Sequence, residues 1–387
     1  MITVIGLGYI GFPLSIALAE KDMFINGYDI SVSRLLEIEK MTFNRNEPGL
    51  YESYSKVKEN INLTNELVQS NVYIVTVQTP LSLEQKADLS YVKSAIDTII
   101  PLLMPHDLII LESTVPPKSN EQFIEYISNE SGLNDKDFGY SYCPETIQPN
   151  NVLYELKHNS RVIASNNDRA YEKTHCIYSK ITSGRLTRVS FDIAEHVKII
   201  QNAYRDYEIA FANSLSIYCD KMSINVNDLI RLVNEHPRAN ILKPGIGVGG
   251  HCLPVDPYFI IEQEPFEPIT FSRKINEYKT QYVANKIIDL EPREVIILGA
   301  TYKVDSDDIR LSPSILLAEL LKKNSIIVHF CEPNIDERFI ANDFLNLSID
   351  EALEKDSLFV YAQNHFQFND HKERLTCKKI LYFVDEY

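Results

Sequence analysis

Met1-Ile-Thr-Val-Ile-Gly-Leu-Gly-Tyr-Ile-Gly11, with Phe12-Pro-Leu-Ser-Ile-Ala-Leu-Ala19 directly behind it, is the stretch on which the fold turns. Residues 2–5 form an apolar run of strand length, and residues 12–19 are apolar enough for a buried helix. Between them Gly6, Gly8 and Gly11 have the spacing of a dinucleotide-binding turn. The first glycine makes the turn, the second lets the backbone approach a pyrophosphate, and the third lets helix and strand pack closely. A second strand, residues 24–28, ends at Asp29, 18 positions past Gly11 (29 − 11). An acid there accepts hydrogen bonds from an adenosine ribose and repels a 2′-phosphate, which favours NAD over NADP. Arg34 weighs the other way, because a nearby cation could hold that phosphate.

Working outward, strand and helix patterns keep alternating. Residues 72–77 read as a strand capped by Gln78-Thr-Pro80, residues 91–103 as an amphipathic helix, and residues 108–111 as a strand running into Glu112-Ser-Thr-Val-Pro-Pro117. Polar groups past the C-terminal ends of parallel strands face the ligand crevice, so Thr79, Ser113 and Thr114 are candidates, with ordinary turn chemistry an equal reading for Ser113. Tyr140-Ser-Tyr-Cys-Pro-Glu145 is a further strand end, and Glu145 is either a crevice acid or a solvated loop acid.

Residues 192–221 contain neither Gly nor Pro and carry apolar residues at 193, 197, 200, 204, 207, 211, 215 and 218. That repeat of three and four predicts one helix of roughly 45 Å, too long for a single layer and suited to a connector and dimer spine. Lys198 and Asn202, at i and i+4, share a face of it, as a solvated pair or as part of a site. After a helix over residues 227–234 comes Pro244-Gly-Ile-Gly-Val-Gly-Gly-His-Cys-Leu-Pro-Val-Asp-Pro257. Its glycines and prolines suit neither helix interior nor strand. The segment reads as a shaped loop offering Cys252 as nucleophile and Asp256 as proton acceptor, or as a turn with an inert buried cysteine. Helix patterns at 271–290, 315–323 and 348–354 and strand patterns at 294–299, 326–330 and 358–361 then form a second, smaller α/β unit. The fold class is α/β, two Rossmann-like doubly wound parallel-sheet domains joined by a long central helix and a helical dimerisation region. Its boundaries fall at 1–188, 189–288 and 289–387.

The 387 residues carry a formal charge of −16, which excludes general nucleic-acid binding by the surface and leaves phosphate to local cations and helix N-termini. Six scattered cysteines form no CxxC pair or zinc spacing, pointing to a reducing cytoplasm and no metal. No apolar run nears the ~20 residues of a membrane span, and the first residues lack a leader pattern, so no membrane association is expected.

The glycine turn, Glu112-Ser-Thr-Val-Pro-Pro117, Cys143-Pro-Glu145, Val197-Lys198, Asn202-Ala-Tyr-Arg-Asp206, Ile209-Ala-Phe-Ala-Asn213, His236-Pro-Arg-Ala-Asn-Ile241, the cysteine loop and Tyr302-Lys303 through Asp308-Ile-Arg310 stand in order along the chain. Together they resemble the UDP-glucose/GDP-mannose dehydrogenase family over essentially the whole length, and within it the branch acting on UDP-N-acetyl-D-mannosamine. Val248 and Val255-Asp256 replace the aromatic residue and Lys-Asp pair of UDP-glucose members, while His251 and the His-Pro-Arg segment point to an N-acetylated sugar.

The resemblance implies oxidation of carbon 6 of a UDP-sugar from alcohol to acid with two NAD, in a homodimer. It implies Cys252, Lys198, Asn202, Asp256, Glu145 and Thr114 in catalysis. Gly6, Gly8, Tyr9, Ile10, Gly11, Asp29, Arg34, Thr79, Thr114 and Arg310 are expected at the cofactor. Glu145, Thr146, Ile147, Lys198, Asn202, Arg238, Gly249, Gly250, His251 and Lys303 are expected at the substrate, with Arg238 reaching across the dimer. Departures from the commoner family pattern are Gln78, Glu145-Thr-Ile-Gln148 and Leu311. The epimer UDP-N-acetylglucosamine is the alternative substrate. A one-step hydroxyacid dehydrogenase would share the Rossmann domain and a helical lysine but have no use for Cys252, and a non-catalytic sugar-nucleotide sensor would have no use for the complete set.

Overall fold

The computed structural model describes residues 1–43, 47–82, 84–147 and 151–383, so Gln148 lies outside the described residues. The chain forms two compact units, one of residues 1–201 with 258–263 and one of residues 202–257 with 264–387.

In the first unit β1 (Ile2–Ile5), β2 (Ile25–Tyr28), β3 (Ile61–Thr64), β4 (Val72–Val75), β5 (Leu108–Leu111), β6 (Gly139–Tyr142), β7 (Arg161–Ser165) and β8 (Leu186–Arg188) form one sheet in the order β3-β2-β1-β4-β5-β6-β7-β8. Every neighbouring pair is parallel except β6 with β7. The central strands read as unbroken apolar runs because both faces are covered. Ile2, Val4, Val72, Ile74, Leu108 and Ile110 enter one core. Ile5, Tyr73, Val75, Ile109 and Leu111 enter the other. The connection reverses direction between β1 and β4, and that switch point is where a doubly wound sheet opens a crevice beyond its strand ends.

The helix expected over 91–103 runs Ser90–Ile99 and tightens to a 3-10 turn over Ile100–Leu102, since Pro101 has no N–H to continue the α ladder. The expected long helix runs Phe191–Lys221. Ile193, Ile200, Tyr204, Tyr207, Phe211 and Tyr218 of the apolar repeat are exposed, while Ala203, Asp206, Ala210, Asn213 and Ile217 face inward. The helix thus buries a small and polar side and presents an aromatic one.

In the second unit β9 (Glu294–Leu298), β10 (Ile327–Cys331), β13 (Leu358–Tyr361) and β14 (Ile380–Tyr382) form a parallel sheet in the order β10-β9-β13-β14, and β11 (Phe339–Ile340) pairs with β12 (Phe344–Leu345) as a small hairpin. Helices Glu267–Ile288 and Pro313–Lys323 send Val283, Ala284, Ile287, Leu317, Ala318 and Leu321 into its core. Residues 244–255 have no helix or strand, as expected, but Asp256 opens a helix, Asp256–Ile261. The loop reading therefore stops one residue short of Asp256. No described helix is long and apolar enough to cross a membrane.

Candidate active site

The glycine turn lies at the switch point. Gly6 has φ +90°, and a Cβ on Gly11 would stand 1.9 Å from the Gly6 carbonyl oxygen, so only glycine allows the helix to start there. Thr76, just past β4, donates its hydroxyl to the Gly6 carbonyl at 2.8 Å, pinning the turn from the neighbouring strand. Gly8 has nothing within 4 Å of where a Cβ would be, which leaves its backbone bare toward open space. Asp29 accepts the Leu7 N–H at 2.8 Å and the Ser31 N–H at 2.9 Å, setting its carboxylate at the end of β2 beside the turn. This bare turn and placed acid fit a dinucleotide. Arg34 donates through Nε to the Leu7 carbonyl at 2.9 Å and pairs with Glu37 at 3.0 Å.

Thr79 is half-buried and Thr114 buried, whereas the Ser113 hydroxyl is given to the Val77 carbonyl at 2.7 Å, which is turn chemistry. Glu145 is no solvated loop acid. It is buried, accepting the Lys198 ammonium at 2.8 Å and the Ile147 N–H at 2.6 Å. Lys198 is buried too and comes from the long helix, whose Glu195 accepts the backbone N–H groups of Lys118 at 2.7 Å and Asn120 at 2.9 Å. Glu195 therefore ties the start of that helix to the loop carrying Thr114. Thr146 is half-buried and Ile147 buried.

One helical turn after Lys198, Asn202 donates to the Asp256 carboxylate at 2.6 Å, and Asp256 is 4% exposed. The Asp256 and Val255 N–H groups both reach the Cys252 carbonyl, at 2.8 and 3.0 Å, so the cysteine and the aspartate are set one turn apart at a helix start. Cys252 is half-buried. Cys143, by contrast, is fully enclosed, and burial pushes its thiol up to about 12 even with the Arg161 guanidinium beside it. Cys143 is inert near neutral pH; Cys252 is within reach of solutes.

The loop is held from two sides. A Cβ on Gly250, at φ +91°, would meet the Tyr302 ring at 2.8 Å, and the Gly250 N–H bonds the Arg310 carbonyl at 2.9 Å. Glycine therefore allows the cysteine loop to lie against the Tyr302-Lys303 and Arg310 segments. Arg310 grips Asp308 through Nε and Nη2, at 2.9 and 2.5 Å. Burial pushes the Asp308 carboxyl up, but the Arg310 bonds and charge, with help from His251, outweigh it and hold it below its ordinary value. At the other end Asn213 accepts the Gly245 N–H at 2.9 Å and donates to Asn276 at 2.9 Å, while Asn276 and Arg273 converge on buried Asp206 at 2.8 and 2.6 Å. Lys303 is half-buried, and Arg238 is exposed in the turn after helix Val226–Val233.

The structure thus joins Lys198 to Glu145 in one unit, and Asn202 to Asp256 and Cys252 in the other. Arg34 is engaged by its own neighbours, and Arg238 meets none of the predicted site residues in a described hydrogen bond. Thr76, Glu195, Asp206, Arg273 and Asn276 support the site but were not singled out from sequence. For Glu195, Asp206, Arg273 and Asn276 the legible sign is a polar residue at a core position of a helix, which needs a buried partner.

Residues 1–182 match the UDP-glucose/GDP-mannose dehydrogenase family's NAD binding domain, residues 192–277 its central domain and residues 296–384 its UDP binding domain. A UDP-N-acetyl-D-mannosamine dehydrogenase of Methanococcus vannielii is 34% identical, over 96% of this chain and 88% of that one. The solved UDP-D-ManNAc dehydrogenase of Pyrococcus horikoshii superposes with a TM-score of 0.90 at 31% identity, covering 100% of this chain and 96% of that one. The native UDP-N-acetyl-mannosamine dehydrogenase of Staphylococcus aureus gives a TM-score of 0.87 at 34% identity, over 100% and 95%.

Proposed function

The chain belongs to the UDP-glucose/GDP-mannose dehydrogenase family and is an NAD-dependent oxidoreductase; from that premise we propose that it oxidises carbon 6 of UDP-N-acetyl-D-mannosamine to the carboxylate, giving UDP-N-acetyl-D-mannosaminuronate. The observation that carries this reading is the long helix, which brings Lys198 to Glu145 and, one turn on, Asn202 to Asp256, itself tied to Cys252. The relatives named above supply the sugar.

NAD, when bound, supplies the hydride acceptor for both oxidations, held by the glycine turn, Asp29, Thr79, Thr114 and Arg310. Asp256, its carboxylate oriented by the Asn202 amide, takes the proton of the C6 hydroxyl with Thr114 and a water. Cys252 adds through sulfur to the aldehyde, giving a thiohemiacetal whose oxidation leaves a thioester. The Lys198 ammonium and the Asn202 amide steady the oxygen on which negative charge grows, at about 2.7–4 kcal/mol for such a donor. Glu145 directs the water that cleaves the thioester and frees the thiol. Thr146, Ile147, Gly249, Gly250, His251 and Lys303 line the sugar nucleotide.

In this reading residues 1–188 bind NAD, 189–288 form the central region and 289–387 bind UDP. The exposed stripe of Ile193, Ile200, Tyr204, Tyr207, Phe211 and Tyr218 is the face of a homodimer, because so large an aromatic row is costly to leave in water. Arg238 extends from the surface to the other subunit's substrate. Arg238→Ala raises KM, and mixed dimers with a Cys252 variant recover activity. Mixed dimers without recovery refute the shared site.

The deciding experiment counts NADH per UDP-sugar consumed, with UDP-N-acetylmannosamine, UDP-N-acetylglucosamine and UDP-glucose in parallel. Two NADH from the mannosamine sugar alone is the expected result. Two from another sugar moves the substrate, and a single NADH overturns the cysteine chemistry.

A further inference from the structure

The second unit also contains a cavity of about 350 Å³ that uses none of the candidate site residues. Two cations and one carboxylate face it. Lys286 pairs with Asp220 at 2.6 Å, and the Tyr282 hydroxyl is given to the same carboxylate. Lys279 is placed differently. It is 5% exposed, gives one hydrogen to the Ser216 hydroxyl at 2.6 Å, and among the described residues has no carboxylate within ion-pair distance. An ammonium has three hydrogens to donate and is costly to bury without a counter-charge. Burial holds the Lys279 amine down at about 8, with the Asp220 charge pulling upward and Lys286 downward.

The remaining lining is mixed: Ile224, Val226, Pro244 and Phe383 supply apolar surface beside the polar Ser216 and Asn227. At about 30 Å³ per water, the space holds roughly a dozen waters, or one small ring with a charged head, at the lower end of small-molecule sites. Two ammonium groups against one carboxylate leave one positive charge to satisfy.

We infer that this cavity binds a small organic oxyanion, a carboxylate or phosphate on an apolar body, with its head on Lys279 and Lys286 and its body against Ile224, Val226 and Phe383. Its position gives the site a route to the cysteine loop. Pro244, the first residue of that loop, is a wall of the cavity. Thr280, next to Lys279, donates to the Ile246 carbonyl at 2.8 Å. An occupant therefore bears on the root of the segment that carries Cys252.

The test is site-resolved and independent of turnover, so it stands or falls apart from the oxidation chemistry. The full chain, with NAD and UDP saturating, is reductively methylated with limiting formaldehyde near pH 8, and Lys279 modification is read by peptide mass spectrometry with phenyl phosphate, benzoate or neither present. Either anion at about ten times its Kd should cut methylation of Lys279 about tenfold; the one that does so identifies the head group. Val226→Phe, which fills the space for the body, should abolish protection and leave Lys279 reactive. Ile224→Phe serves on the other wall if that variant fails to fold. Equal methylation with and without both anions overturns the proposal. So does protection that survives the filled cavity, or a Lys279 that no reagent reaches.

Discussion

Strands β5 and β6 lie side by side, and each delivers a glutamate just past its C-terminal end, yet the two carboxylates sit in unlike surroundings. Glu112 is sealed in, its side chain 1% exposed, with Arg161 at 3.1 Å and the Tyr178 hydroxyl on the same oxygen. The guanidinium lies 4.8 Å from the Tyr178 ring and 4.0 Å from the Cys143 sulfur. Burial pushes Glu112 up further than Arg161 and Tyr178 pull it down. Glu145 holds one ammonium, from Lys198, and both side chains retain some exposure, 10% and 8%. A fork clamped by an aromatic ring and a thiol has one arrangement. An ammonium on a flexible stem can turn from a carboxylate to a developing oxyanion. The contrast separates a pair that holds the sheet together from one whose stem leaves it the movement that the proposed chemistry requires.

The largest expected effect sets the two cysteines of these regions against each other. Cys252→Ser should lower acid production by about a thousandfold or more, the scale of losing a covalent nucleophile, while slow oxidation of the alcohol continues. Cys143→Ser should keep two NADH per sugar. In the native protein iodoacetamide near neutral pH should mark Cys252 and spare Cys143, whose thiol is held near 12. Full acid output from Cys252→Ser would sink the nucleophile assignment.

Next come the cations. Arg161→Met strands Glu112 in a closed site and should cost about 3–5 kcal/mol of stability, seen as a lower midpoint in urea. Lys198→Met should lower kcat by about 10²–10³ with a far smaller midpoint change, since Glu145 keeps the Ile147 N–H and an opening to solvent. Equal loss of stability in both variants would erase the distinction between the two pairs.

Much of this contrast was legible in the chain. The apolar runs at 2–5, 72–75 and 108–111 announce strands covered on both faces, and the three glycines with Asp29 announce the turn and its acid. β3, whose sequence is Ile-Asn-Leu-Thr, went unread because an edge strand buries little and has no continuous apolar run. β7 begins with Arg161 and pairs antiparallel to β6, and nothing local marks an arginine whose partner lies 49 positions earlier. The aromatic repeat of the long helix was plain, but which of its sides faces inward was not. Asp206, Asn213 and Asn276 form a polar interior that periodicity of apolar residues cannot show.

Lys279 extends the comparison to a buried cation that, among the described residues, pairs with no carboxylate. Its amine titrates at about 8 in the folded chain against 10.5 for an ordinary lysine. Between those values the unfolded chain binds more protons, so stability attributable to this group rises with pH, by at most about 1.4 kcal/mol per unit. Below pH 8 both states are protonated and the folded protein carries the full cost of the buried charge; above 10.5 neither is, and the cost is gone. Urea melts near pH 8 and near pH 10 should therefore show the native protein gaining on Lys279→Met. Phenyl phosphate, which would stabilise the charged amine, should shrink that gain. An unchanged gap between the two proteins across this window would mean that Lys279 has a counter-charge of its own, as Lys198 and Arg161 do, and that the cavity has no charge left to offer a ligand.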